Sequence, residues 1–158
     1  MKTGTIGFTL AFCFLGWATC LAAEPQMGTW KLNEAKSKIT RGTTKFTTVT
    51  FKNMLGNITV SNDGVDGNGK PIHVEWSGKF DGKDYPVTGS PDSDARSYTK
   101  VNDRTLQVTA KKKGKVIATA QTVVSVDGKT RTSTVSGTTA KGKKFKNVVV
   151  YDKQQTER

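Results

Sequence analysis

Hydrophobic and polar residues alternate with a period of two along most of the chain from residue 24 onward. Ile72, Val74, Trp76, Gly78 and Phe80 share one face of a run, and His73, Glu75, Ser77 and Lys79 share the other. Leu106, Val108 and Ala110 oppose Gln107, Thr109 and Lys111 in the same way. Successive side chains of a strand point to opposite faces, so this alternation predicts strands with one dry face. The predicted strands are Met27 to Asn33, Lys45 to Lys52, Asn57 to Ser61, Ile72 to Phe80, Tyr85 to Thr88, Arg96 to Val101, Thr105 to Lys111, Lys115 to Val126, Thr130 to Gly137 and Lys144 to Asp152. The last carries Phe145, Asn147, Val149 and Tyr151 against Lys146, Val148 and Val150, and is apolar on both faces. No amphipathic helix is predicted in this region; at most a helical turn fits Glu34 to Lys38.

The connections are short and rich in Asp, Asn and Gly: Asp81-Gly82-Lys83, Asn102-Asp103-Arg104, Lys113-Gly114, Asp127-Gly128-Lys129 and Lys141-Gly142-Lys143. Such pairs supply the positive φ that tight hairpins require. Short links join antiparallel neighbours, which predicts a meander. With no helix to cover the dry face, the strands must close into a barrel or fold into a sandwich, and uniform hairpins favour the barrel. The expected fold is all-β: a single antiparallel meander β-barrel of about 8–10 strands. A longer polar tip is expected at Asn62 to Lys70.

The first 23 residues differ in character. Met1-Lys2 is a basic start, Thr5 to Trp17 is apolar, and Leu21-Ala22-Ala23 ends in small residues. This is the pattern of a secretory signal peptide cleaved after Ala23, with the barrel domain spanning 24–158. The apolar run is short for a bilayer span, which needs about 20 residues, so no transmembrane segment is expected after cleavage. The expected location is periplasmic or secreted. Both cysteines, Cys13 and Cys20, fall in this segment, which leaves the domain without a disulfide or a thiolate site. Lipidation of Cys20 is disfavoured by Thr19 and Trp17 at the positions that motif reads.

Composition alters the picture through charge. The formal net charge is +12. Lysines cluster at two hairpins, Lys111 to Lys115 and Lys141 to Lys146, two connections apart in the meander and therefore at the same end of a barrel. Lys112, Lys113, Lys115, Lys143 and Lys144 are the candidate patch for an anionic partner such as an acidic envelope polymer. Lysines at turns also discourage edge pairing without any partner. No exposed aromatic residue interleaves with them for base stacking, so nucleic acid is not an expected partner.

Candidate chemistry is sparse. His73, the single histidine, falls on the polar face of its strand, and a metal site or catalytic triad has no further histidine or thiolate to draw on. Asp63, Asp66 and Asn68 lack the spacing of a calcium loop. Most acids lie in turns, with Glu75 well inside a strand, so no carboxylate pair faces a cleft. No catalytic residue, metal or cofactor is assigned, and the protein is not expected to be an enzyme. The interior aromatics Trp30, Trp76, Phe80 and Tyr85 are the candidate ligand-binding residues. Small residues on the dry faces, among them Gly78, Ala110, Ala118 and Ala120, leave room beside them.

Gly28-Thr29-Trp30-Lys31-Leu32, followed by a meander of hairpins, resembles the opening of the lipocalin and fatty-acid-binding-protein barrels. Val149-Val150-Tyr151-Asp152-Lys153 resembles the close of the latter's last strand. With Phe80 to Gly89, the region is similar to small secreted bacterial lipocalin-like proteins. The resemblance implies a calycin-type barrel that holds a small apolar or amphipathic ligand; the alternative is a non-enzymatic interaction protein of the cell envelope that binds anionic polymers through its basic hairpins. The likeness has gaps. Glu34 to Thr44 is too short for a two-helix lid. The place of a carboxylate-binding arginine holds Val149, and no arginine that would pack over Trp30 can be placed.

Overall fold

A computed structural model describes residues 24–155 of the protein. The expected signal segment, with Cys13 and Cys20, lies outside the described residues. Among the described residues, no helix is long and apolar enough to cross a membrane. Ten strands form one closed antiparallel barrel: β1 Gly28–Leu32, β2 Lys45–Met54, β3 Asn57–Val65, β4 Pro71–Gly78, β5 Tyr85–Thr88, β6 Ala95–Asn102, β7 Thr105–Lys112, β8 Lys115–Val124, β9 Thr130–Thr138 and β10 Lys144–Lys153. Each strand pairs with its neighbours in sequence, and β1 pairs with β10 to close the ring. A single 3-10 turn, Glu34–Lys36, is capped by Asn33, whose side chain accepts from the Lys36 amide.

The meander gives the barrel two ends. The lower end holds the start of β1, the Leu55-Gly56 turn, residues 79–84, residues 103–104 and residues 125–129. The upper end holds residues 33–44, 66–70 and 89–94 and the two lysine hairpins. Register shifts between Phe46 and Thr48, Lys100 and Asn102, and Ala110 and Lys111 bend the sheet as closure requires.

Most strand boundaries fall within one or two residues of expectation, and the differences at β3, β4 and β8 move residues singled out in the sequence. β3 runs on to Val65, so the expected tip Asn62 to Lys70 shrinks to a turn in which Asp66 Oδ1 accepts from the amides of Asn68 at 2.8 Å and Lys70 at 3.0 Å. The polar run Asn62-Asp63-Gly64 stays in the ladder because Gly64 fits tightly against the Lys45–Phe46 backbone, where a Cβ would come within 2.7 Å of Phe46 Cα. β4 ends at Gly78, leaving Phe80 in the bend beyond it, and β8 ends at Val124, leaving Val126 in a turn. Above its pairing with β1, the edge of β10 is met by the segment after β1: Lys38 bridges Val148 in both directions and Ser37 Oγ accepts from the Val150 amide.

The lower end is closed. Trp30 is completely buried, its indole N–H donates to Gln26 O at 3.0 Å, and the Gln26 amide donates to Arg104 O. The cation over this tryptophan is not an arginine but Lys153, with Nζ 5.0 Å from the ring centroid, because Trp30 and Lys153 are register partners across the closing seam.

β5 is the weakest link, with two register pairs on each side. Gly89, at φ +76, turns the chain away from it, and a Cβ there would overlap the His73 carbonyl oxygen. Gly128 has a similar φ of +70 and open space around it. Gly89→Ala is therefore expected to destabilise by roughly 2–4 kcal/mol and Gly128→Ala by about 1 kcal/mol, as read by urea unfolding; equal losses would show that Gly89 acts through its dihedral alone.

On the outer face His73 bridges two strands. Its Nδ1 lies 2.6 Å from Asp63 Oδ1 and its Nε2 lies 3.2 Å from Glu75 Oε1. Hydrogen bonds to Asp63 first and Glu75 second raise the imidazole above its ordinary 6.5. A raised histidine contributes its stability below the unfolded value and loses it as pH rises through the folded one. NMR titration should place the His73 midpoint above 6.5, and Asp63→Asn should lower it more than Glu75→Gln.

Candidate functional site

The inward positions divide the barrel interior into two walls. On the β3 to β6 side stands an aromatic cluster. Trp76 is 4.5 Å from Tyr98 and 5.7 Å from Tyr85 between ring centroids, and it stacks with Phe80 at 6.4 Å and 17°. Phe51 meets Tyr98 edge-on at 6.3 Å. The Trp76 indole donates to Arg96 O at 2.8 Å and the Tyr85 hydroxyl donates to Asp81, so the polar tips of both rings are used. Of the four aromatics expected to meet a ligand, Trp76, Phe80 and Tyr85 are brought together, and Trp30 is held apart as the lower plug.

The facing wall, on β7 to β9, is built from small side chains. Register pairing aligns Val108 with Ala120 and Val135, and Ala110 with Ala118 and Gly137. All six are inward yet only half-buried, whereas inward residues below them, such as Leu106 and Val124, are sealed from solvent. The interior is thus packed in its lower half and remains in contact with solvent in its upper half. Small residues permit this, because they cannot span the width of a ten-stranded ring.

Arg131 lies at the foot of the small-residue wall. It is an inward residue of β9, paired with Val124 and Tyr151, and only 5 % exposed. Its guanidinium reaches the ring of Phe51, with Cζ 4.2 Å from the centroid. Nε and Nη1 have no hydrogen-bond partner. Burial pushes Arg131 down to about 10, against the pull of Tyr98 and Tyr151, so it remains a cation at neutral pH. Burial likewise pushes the Tyr151 hydroxyl up to about 12, which keeps it a neutral donor. Above Arg131 on the same wall, Ser133 and Thr122 share a buried hydrogen bond of 2.8 Å.

A second arginine, Arg96 on β6, is also buried and donates to the Tyr98 hydroxyl at 3.3 Å. Among the described residues, none of those fully buried is a carboxylate, although Glu24 Oε2 at the start of the domain is itself shielded. An interior holding two guanidinium groups without a counter-ion is electrostatically unfinished: desolvating an unpaired charge costs several kcal/mol, and a cation–π contact returns about 2.

Neither arginine stood out in the sequence analysis, and the interior cation comes from β9 rather than from the Val149 position of the last strand. The alternation of Thr130 to Gly137 held the signal. Arg131 shares a face with Ser133 and Val135, and hairpin pairing across Lys141-Gly142 sets that face beside Tyr151.

The upper end is crossed by a strap, residues 39–44. Asn147, buried on β10, accepts from the Thr40 amide at 2.9 Å and donates to Thr43 Oγ1 at 3.0 Å, and Thr44 Oγ1 donates to Asp92 on the β5–β6 loop. Glu34 to Thr44 forms no pair of helices, yet part of it still lies over the opening.

The lysine hairpins are at the same end, on strands whose shared β8–β9 ladder has its uppermost pair at Ala118–Gly137. Lys113, Lys115, Lys143 and Lys144 are exposed and form no ion pair among the described residues. Lys112 leans away and donates to Pro91 O, and Lys111 is drawn onto the outer wall by Asp84 at 2.6 Å. The neighbouring rim carries open depressions of about 450 and 550 Å³ that share Pro71, Ile72 and His73. Among the described residues no cluster of His, Cys, Asp and Glu is arranged to hold a metal ion.

No known family profile matches the chain, and no curated protein does. Among solved structures it is similar to redesigned β-barrels. One is mFAP1 bound to DFHBI, at 18 % identity, covering 82 % of this chain and 95 % of that one with a TM-score of 0.43. Another is b11L5F_LGL, at 17 % identity, covering 87 % and 98 % with a TM-score of 0.42.

Proposed function

We propose that this is an exported, non-enzymatic, lipocalin-like binding protein that holds a small amphipathic anion inside the barrel. The observation that carries the reading is Arg131: a buried, unpaired cation at the foot of a half-open, small-residue wall. Its Nε–H and Nη1–H are free to donate to a carboxylate, sulfonate or phosphate, with Tyr151 beside them as its register partner. The apolar part of the ligand lies along Val108, Ala120 and Val135 and against the aromatic wall of Trp76, Phe80 and Tyr98. Burial of apolar surface supplies affinity, and the guanidinium supplies selection for charge. Export is read from the apolar segment ahead of residue 24.

A fluorescent sulfonate, anilinonaphthalene sulfonate, provides the test. It should brighten on binding, and decanoate should displace it at least about tenfold more effectively than decanol, since a charge-assisted pair is worth roughly 1.5–3 kcal/mol. Arg131→Met should erase the difference between acid and alcohol. Equal potency in the wild type would sink the proposal.

The same variant separates binding from folding. Replacing an unpaired buried charge by an apolar side chain of similar length is neutral or stabilising by about 1–4 kcal/mol. Arg131→Met is therefore expected to unfold at an equal or higher urea concentration than the wild type. A loss of stability would mean that the guanidinium serves the fold.

The exposed lysine hairpins at one end favour a second reading, an interaction protein whose upper end binds an acidic polymer. Lysines closer together than the Debye length of about 8 Å act jointly on a polyanion and weaken steeply with salt. Changing Lys113, Lys115, Lys143 and Lys144 to Ser should lower the salt concentration at which the protein elutes from a dextran sulfate column. Elution unchanged by the four substitutions would rule out these hairpins as the contact.

A further inference from the structure

The lower end presents a different surface. The β2–β3 turn is Leu55-Gly56, and Leu55 is fully exposed at 108 % of its reference area with φ +54. Two-residue hairpins of this kind want Asn or Asp at the first position, where positive φ penalises a side chain branched beyond Cβ that forms no local hydrogen bond. Here a leucine occupies that position and gains no packing in return. The turn is braced by Asn53, whose Oδ1 accepts from the Gly56 amide at 3.0 Å. Met54 beside it is 68 % exposed.

Two lysines flank this tip, with Asp81 further along the neighbouring bend. Lys52 is exposed on β2, and Lys79 follows the Ile58–Gly78 register pair, which places it beside Asn57. Neither forms an ion pair among the described residues, and no carboxylate occurs from Phe51 to Asn62. Val126, on the β8–β9 turn at the same end, is also exposed.

We propose that the Met54-Leu55 tip inserts into the interfacial region of an anionic lipid bilayer, with Lys52 and Lys79 at the headgroups. An exposed apolar point flanked by two lysines matches a surface that is apolar within and negative outside. One hairpin tip is far too small to supply the roughly 1,000 Å² that a stable protein interface buries. A bilayer makes no such demand, because shallow insertion of one or two side chains adds to electrostatic attraction.

Sedimentation with vesicles of equimolar phosphatidylglycerol and phosphatidylcholine tests this directly. Leu55→Asn installs the residue that the turn prefers, so its thermal midpoint should hold or rise while its partitioning falls at least about tenfold, the value of burying a leucine side chain. Leu55→Trp should show an emission band, absent from the wild type, that shifts to the blue on the same vesicles and is quenched by brominated lipid. Unchanged partitioning of Leu55→Asn would overturn the proposal in favour of adsorption through the upper lysines. A Leu55→Trp indole that stays in water while the protein is bound would overturn it in favour of a protein partner. Absence of any vesicle binding by the wild type would overturn it outright.

Discussion

Closure at one seam governs this molecule. Nine of the ten strand pairings join neighbours in sequence, all but β1–β2 through short connections. The tenth, between β1 and β10, joins residues more than a hundred positions apart through only three register pairs. Without that seam β1 and β10 would be open edges and the interior would face water along a slot. The surrounding structure compensates for its shortness. Trp30 locks the lower part of the seam beneath Lys153, and Lys38 extends the pairing upward by bridging Val148 past the 3-10 turn. The strap that follows crosses the upper end and is pinned by Asn147, a residue of the same closing strand.

Once the ring is closed, its width decides what the interior can be. Large aromatics from β2 to β6 fill the lower and near side, and the small residues of β7 to β9 cannot reach them across the upper half. Arg131 belongs to neither arrangement. A core built only for stability would place an aliphatic residue there, since an unpaired guanidinium is among the costlier things to bury. Phe51 and the two tyrosines soften that cost without supplying an opposite charge. The interior therefore carries a positive charge with two buried N–H groups that no protein acceptor meets.

Much of this architecture was legible in the chain. Alternation placed all ten strands, Asp-Gly and Lys-Gly pairs placed most turns, and Gly28-x-Trp30 marked the strand that carries the lower plug. The errors arose where a local signal competed with pairing. Asn62-Asp63-Gly64 reads as a loop by composition, but its register with Ile72, His73 and Val74 keeps it in the sheet. Phe80 extends the alternation of β4, but the backbone bends after Gly78. The interior cation was harder to see. Arg131 sits among threonines in a strand with no hydrophobic stripe, and its face becomes meaningful only when paired with Tyr151 across the hairpin. The cation over Trp30 was hidden for a related reason: Lys153 is 123 positions away and reaches Trp30 only because the barrel closes. Whether Trp76, Phe80 and Tyr85 meet a ligand is not written in their burial, because the same cluster would fill a core.

The seam has a topological consequence. Gln154 N donates to Thr29 O, and Lys153 Nζ to Pro25 O, so the two strand ends that close the barrel meet at the lower end. The pairing diagram is therefore a cycle, and the polypeptide is that cycle cut at one of its ten links. No strand depends on being first or last. A circular permutant that joined the segments flanking β1 and β10 and opened the chain at another hairpin would preserve every pairing of the native barrel. It would convert the longest-range contact into a local one and turn a former hairpin into the new seam. Which pairing forms last in folding would then follow the position of the cut rather than the identity of the strands.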